Sequence, residues 1–218
     1  MKIISYNIHT GTDKDKNRTL RQMAKYLKIQ NCDIICLQEV LYSQYRMLKF
    51  YLQMDGSFAE NVSDKQYGIC IFSKYKILAR NHVFLTSKKE QRGFAHIKVK
   101  IEGDRYLNVI NTHLGLDKDE RVKQINEILD FISINLEGNI EDLAGSIVCG
   151  DFNEKNIFIS IFNDSAVYTN NQSIATFEKS NARIDYILVD KSLGIYKYKL
   201  DKINLSDHYP IIVDIKLN

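Results

Sequence analysis

Apolar runs in this chain keep ending in the same kinds of residue. Ile3-Ile4-Ser5-Tyr6 ends at Asn7, Ile34-Ile35-Cys36-Leu37-Gln38 at Glu39, and Val109-Ile110-Asn111-Thr112 at His113. Ile147-Val148-Cys149-Gly150 ends at Asp151-Phe152-Asn153, and Ser206-Asp207-His208 stands just before the run Tyr209-Pro210-Ile211-Ile212-Val213. Taken singly, each has a dull explanation: a strand-end Asn or Asp makes a turn, a Glu is solvated, a His is a hydrogen-bonded structural residue. Taken together they are acids, amides and imidazoles at the ends of rigid elements, where side chains are handed to a cleft. Carboxylate and amide oxygens are hard ligands of the kind that hold Mg²⁺ beside water and phosphate oxygens. Histidines transfer protons or hydrogen-bond developing charge, and a further carboxylate can orient one of them. Phosphate-ester hydrolysis uses every one of these parts: a metal to neutralise charge, a positioned water and a donor for the leaving oxygen. Neither a Gly-x-Ser-x-Gly elbow nor a P-loop glycine array occurs, so in-line attack of water without a covalent enzyme intermediate is the expected route.

The elements that must position these groups are short Ile- and Val-rich strands alternating with helical patterns. Strands are predicted at residues 2–7, 33–38, 67–72, 95–101, 105–112, 146–150, 184–189 and 210–217, and helices near 17–29, 42–53 and 118–136. Ala95, Ile97, Val99 and Ile101 alternate with His96, Lys98 and Lys100, and Glu102-Gly103-Asp104 turns the chain into Tyr106–Ile110, which predicts an antiparallel hairpin with one wet face. The third helix has Asp117 as cap, Glu120 at the capping-box position, and Val122, Ile125, Leu129, Ile132 and Leu136 at helical spacing. The run Ile157–Phe162 reads as a short core helix. Mixed order with hairpins predicts an α+β fold in which two mixed, mostly antiparallel sheets pack face to face with helices outside.

At 218 residues, with 44% hydrophobic and 26% charged residues and no low-complexity seam, the chain reads as one globular domain over residues 1–218. No run approaches the roughly eighteen apolar residues of a membrane helix, and no signal peptide is evident, so a cytoplasmic location is expected. Cys32, Cys36, Cys70 and Cys149 lie in apolar runs without metal-ligand spacing and read as buried free thiols. A net charge of +3 suits an anionic substrate but falls short of a dedicated nucleic-acid binder. The run Asp13-Lys14-Asp15-Lys16-Asn17 reads as a solvated loop, with His9 at the border of the cleft.

Ser5-Tyr6-Asn7-Ile8, Leu37-Gln38-Glu39-Val40, Asn111-Thr112-His113-Leu114-Gly115, Gly150-Asp151-Phe152-Asn153, Arg183-Ile184-Asp185-Tyr186 and Ser206-Asp207-His208-Tyr209-Pro210 resemble, in order, the motifs of the endonuclease/exonuclease/phosphatase superfamily. The resemblance implies the DNase I-like four-layer α/β/β/α sandwich. It implies metal binding by Asn7, Glu39 and Asp207, with Mg²⁺ as cofactor and Mn²⁺ as a substitute. It implies catalytic roles for His113, Asp151, Asn153, Asp185 and His208, with Asp185 orienting His208 and the choice of base between Asp151 and His208 open. Phosphate contacts would come from Arg92, Asn153 and His208. His113-Leu114-Gly115-Leu116 followed by Glu120-Arg121 and Gln124 is similar to small bacterial members known as metal-dependent hydrolases, which favours a small or lipid-derived phosphodiester. A DNA endonuclease or exonuclease is the alternative, with Lys14, Lys16, Arg18, Lys88, Lys89 and Arg92 as candidate contacts. A catalytically dead binding module is the minor one, since no ligand or histidine is missing.

Overall fold

The computed structural model describes residues 1–135 and 142–217. Its elements run β1 (Lys2–Asn7), α1 (Leu20–Gln30), β2 (Ile34–Leu41), α2 (Tyr42–Leu52), β3 (Asp55–Val62), β4 (Tyr67–Ser73), β5 (Ile77–Leu85) and β6 (Arg92–Lys100). There follow β7 (Tyr106–His113), α3 (Lys118–Asn135), β8 (Leu143–Asp151), β9 (Phe162–Asp164), the single turn α4 (Ser165–Tyr168), β10 (Asp185–Asp190), β11 (Gly194–Leu200) and β12 (Ile211–Lys216). The strands form two six-stranded sheets, ordered β11-β12-β1-β2-β4-β3 and β5-β6-β7-β8-β10-β9. They pack face to face with α1 and α2 outside the first and α3 outside the second, which is the expected four-layer DNase I-like sandwich.

Each sheet has one parallel pair at its centre, β1 with β2 and β7 with β8, and the other named neighbours are antiparallel. Parallel strands need a crossover, and α1 and α3 supply the two. The C-terminal ends of β1, β2, β7 and β8 therefore gather at one pole, together with the N-terminal ends of their antiparallel neighbours β4, β6, β10 and β12. That pole collects the strand-end residues singled out above.

Inward-facing positions change character toward this pole. Ile3 gives way to Ser5 and Asn7 along β1, Ile34 to Cys36 and Gln38 along β2, and Ile147 to Cys149 and Asp151 along β8. Along β7 the series is Leu107, Val109, Asn111 and His113, and β10 runs in reverse from Asp185 to Ile187 and Val189. The four cysteines are buried and free, as expected.

Some local expectations change. His96 is buried, because α3 covers the outer face of β6: its ring lies 5.4 Å from Phe131 and bonds Asn108 at 3.0 Å. Val122 points away at 53% exposure, while Gln124, Ile128 and Ile132 carry the inner face of α3; Leu136 lies outside the described residues. Asp117 caps α3 by accepting from the Glu120 amide at 3.0 Å. Residues 157–161 form no helix, and Phe162 opens β9. Among the described residues no helix is long and apolar enough to cross a membrane.

Candidate active site

Asp151 is the hub of the polar pole. Its Oδ1 accepts from the Asn153 amide at 2.9 Å and its Oδ2 from Asn7 Nδ2 at 3.0 Å. The Nε2 atoms of His113 and His208 both stand 3.6 Å from that same Oδ2. Gly150 makes the geometry possible: a Cβ there would meet the Thr112 carbonyl oxygen at 1.9 Å, so only glycine lets β7 and β8 close up with His113 opposite Asp151.

The two histidines are held in different states. His208 Nδ1 lies 3.0 and 3.2 Å from the oxygens of Asp185, so its proton points there and Nε2 faces Asp151. Burial works against a charged ring, yet the Asp185 carboxylate, aided by Asp151 and Asp207, lifts His208 to about 10. His113 Nδ1 instead accepts from Arg92 Nη1 at 3.2 Å, which leaves its own proton on Nε2. Burial, reinforced by the charges of Arg92 and His208, holds His113 well below the usual histidine range. One ring is thus a cation and the other neutral, and both aim an N–H at Asp151. Burial, with the Asp185 carboxylate nearby, raises Asp151 to about 7 against the opposing pull of His208.

Glu39 sits at a β-bulge where Leu37 pairs with Cys70 and Val40 with Gly68. Its φ of 56° is left-handed, an unfavourable conformation for a glutamate that turns the side chain into the cleft. One oxygen accepts from Asn7 Nδ2 at 3.0 Å, and among the described residues no lysine or arginine pairs with it. A half-buried carboxylate of this kind, with Asp207 on the same cleft, fits a hard divalent cation. Asn7 presents its Nδ2 to Glu39 and Asp151 and its Oδ1 to the His9 amide, so oxygen ligation by Asn7 needs the amide to turn over. Asp151, Asp185 and His208 also bring one ligand atom each to within 4.8 Å of one another. Of these, only His208 Nδ1 and Asp185 are within hydrogen-bond distance; His208 Nε2 stands 3.6 Å from Asp151.

These groups line a cleft of about 350 Å³ that includes Glu39, Arg92, His113, Asp151, Asn153, Asp207 and His208. Asn7 and Asp185 lie behind it, bonded to the lining residues. Arg92 is tied to Glu90 at 2.9 Å as well as to His113, and Asn153 turns its amide to the Leu114 carbonyl at 2.9 Å. Phe177, which the sequence did not single out, also lines the cleft, as does Tyr67, which the sequence marked only as part of a strand. Phe177 bridges its backbone to His208 and lays its ring 4.6 Å from the imidazole, and Thr176 Oγ accepts from the Ile184 and Asp185 amides. Nothing in the polar stretch 169–182 advertises this support, whereas Tyr67, at the first position of β4, was visible as a strand start.

Below the hub a buried amide layer joins the sheets. Gln38 Nε2 donates to Asn111 Oδ1 at 2.6 Å, and Asn111 Nδ2 lies 2.9 Å from the Leu37 and Cys70 carbonyls.

No curated protein matches the sequence. A conserved protein of unknown function from Enterococcus faecalis V583 shares the fold with a TM-score of 0.84 at 20% identity, covering 100% of both chains. A humanized D. rerio TDP2 superposes with a TM-score of 0.82 at 20% identity over 99% of this chain and 98% of that one. The mannosyl-6-phosphatase Bt3783 of Bacteroides thetaiotaomicron VPI-5482 does so at 0.78 and 20% identity over 99% of each. The sequence model of the Endonuclease/Exonuclease/phosphatase family matches residues 4–208. That span takes in every site residue described above, from Asn7 to His208, and the chain belongs to the endonuclease/exonuclease/phosphatase family.

Proposed function

We propose that this protein is a Mg²⁺-dependent phosphoric ester hydrolase that cleaves a small or lipid-derived phosphodiester by in-line attack of water. The observation that carries the reading is the meeting of two histidine Nε2 atoms, one from a cationic ring and one from a neutral ring, on a single buried carboxylate oxygen of Asp151. Asp151, raised to about 7, is the group able to take the water proton near neutrality. His208, raised to about 10, is already protonated there, so it serves as phosphate donor and as the group with a proton to give to the departing oxygen. His113 is neutral and would leave an imidazolate if it gave up its proton, so it acts as a hydrogen-bond donor held in register by Arg92. Asn153 aligns Asp151 through its backbone amide, and Asp185 orients His208. Glu39, Asp207 and a reoriented Asn7 would hold the cation, which when bound neutralises phosphate charge and lowers the barrier to attack.

The test is turnover of bis-p-nitrophenyl phosphate with Mg²⁺. Glu39→Ala is expected to remove turnover and most of its metal dependence; undiminished turnover in that variant overturns the assignment. Plasmid DNA in the same assay separates the nuclease reading, which gains if nicking occurs at low enzyme concentration and is lost in the Glu39 variant. Similar folds include a D. rerio TDP2 complexed with a single-strand DNA product and a mannosyl-6-phosphatase, so nucleic-acid and sugar-phosphate substrates both belong in the assay.

A further inference from the structure

A second hollow of about 610 Å³ adjoins the catalytic cleft and shares His9, Phe177 and Asp207 with it. Lys14, Lys16 and Lys179 stand on its walls together with the acids Asp15, Glu178 and Asp207. The 13–17 segment is the solvated loop expected, exposed at residues 14–17, and it is ordered by its own hydrogen bonds. Asp13 Oδ1 accepts from the Asp15 and Asn17 amides at 2.9 and 2.8 Å, and Thr12 bridges to Arg18. This folding puts Lys16 in the left-handed region, φ 67°, and brings its Nζ to 2.7 Å from His9 Nε2. An ammonium can only donate, so the ring nitrogen is the acceptor. Lys14 is neutralised by Glu178 at 2.9 Å, but among the described residues neither Lys16 nor Lys179 has a carboxylate partner. On the opposite flank, in a hollow of about 410 Å³, Lys88 pairs with Asp117 and Arg92 with Glu90, both at 2.9 Å, and among the described residues Lys89 has no carboxylate partner.

We infer that Lys16 and Lys179 form a subsite for a second anionic group, a phosphate or carboxylate, carried by the same substrate whose ester lies in the cleft. The inference rests on the phosphate-ester reading and sharpens it: the substrate bears two anionic groups. His9 is the resting place of the Lys16 ammonium, holding it at the junction of the two hollows without cancelling its charge. An incoming oxyanion exchanges an ammonium–imidazole contact for a charge-assisted one, which is the stronger of the two.

The whole protein in excess Mg²⁺, turning over bis-p-nitrophenyl phosphate, provides the test. Inhibition by ω-carboxyalkylphosphonates of increasing chain length is compared with that by simple alkylphosphonates of matching length. At one length the carboxylate is expected to tighten inhibition by about tenfold. Lys16→Met should remove that advantage, and Lys89→Met, on the other flank, should keep it. No advantage at any length, or equal loss in both variants, overturns the subsite; absence of bis-p-nitrophenyl phosphate turnover in the unaltered protein overturns the hydrolase reading itself. Thymidine 3′,5′-bisphosphate and fructose 1,6-bisphosphate as further inhibitors identify whether a nucleotide or a sugar supplies the second charge, and stronger inhibition by either supports the subsite.

Discussion

The space between the two sheets has two ends built from the same strands and the same inward-facing positions. At one end Ile3, Ile34, Val109, Ile147 and Val189 pack as an aliphatic core with essentially no exposure. At the other, Asn7, Gln38, Asn111, Asp151, Asp185 and His208 are nearly as buried. The first end gains stability from apolar area removed from water; the second must satisfy each polar atom it dehydrates, and its groups are arranged to perturb one another's protonation. A sheet sandwich thus assigns stability and chemistry to different levels of one interface, separated by two to four residues along each strand.

The contrast is sharpest along β8, where Ile147 and Asp151 share a face. Asp151→Asn is expected to lower kcat by about 10²- to 10⁴-fold while the fold persists, because it removes a proton acceptor and a dehydrated charge together. Ile147→Ala should do the reverse, costing about 2–5 kcal/mol of stability in chemical denaturation while kcat, measured well below its melting temperature, stays within a few-fold. Comparable kinetic losses in the two variants would break the division.

A pH series comes next in size. kcat/KM should rise as Asp151 loses its proton near 7 and fall as His208 loses its own near 10. Stability of the metal-free protein follows from the same shifts. Asp151 titrates higher when folded than its usual 3.8, so its contribution is complete below that value and is lost as pH rises to about 7. The His208 contribution is complete below the usual 6.5 and is lost toward 10. The melting temperature should therefore fall between pH 4 and 7, and Asp151→Asn should flatten that slope. The smallest effect on stability is expected at Glu39→Gly, which relieves a left-handed glutamate and should add about 1 kcal/mol, although turnover is lost with the carboxylate.

What the sequence revealed divides along another boundary. The eight strands predicted from it are β1, β2, β4, β6, β7, β8, β10 and β12, the interior members of both sheets. The four it missed, β3, β5, β9 and β11, are the four edges. Interior strands bury both faces and read as apolar runs. Ile77–Leu85 and Gly194–Leu200 carry exposed residues along their length, as sheet edges do; Asp55–Val62 is broken up by the polar Asp55, Ser57, Glu60 and Asn61, and Phe162–Asp164 is too short to show a period. The residues proposed for the site lie at interior strand ends or just beyond them, which is why their positions were readable. Their states were not: which nitrogen of His113 accepts from Arg92, or that Phe177 steadies His208, depends on contacts between distant segments that no local pattern encodes.

The polar cluster is also divided by origin. Asn7 and Glu39 stand on the first sheet and His208 leads into it, while His113, Asp151 and Asp185 stand on the second. Neither sheet alone carries a competent half. A nascent or partly unfolded chain, with one sheet formed and the other not yet docked, would keep the His113–Asp151 pair but hold Asp151 and Asp185 without His208 and Asn7 without Asp151, so the proposed site is incomplete until folding is complete. Docking of the sheets is the event that arms the molecule.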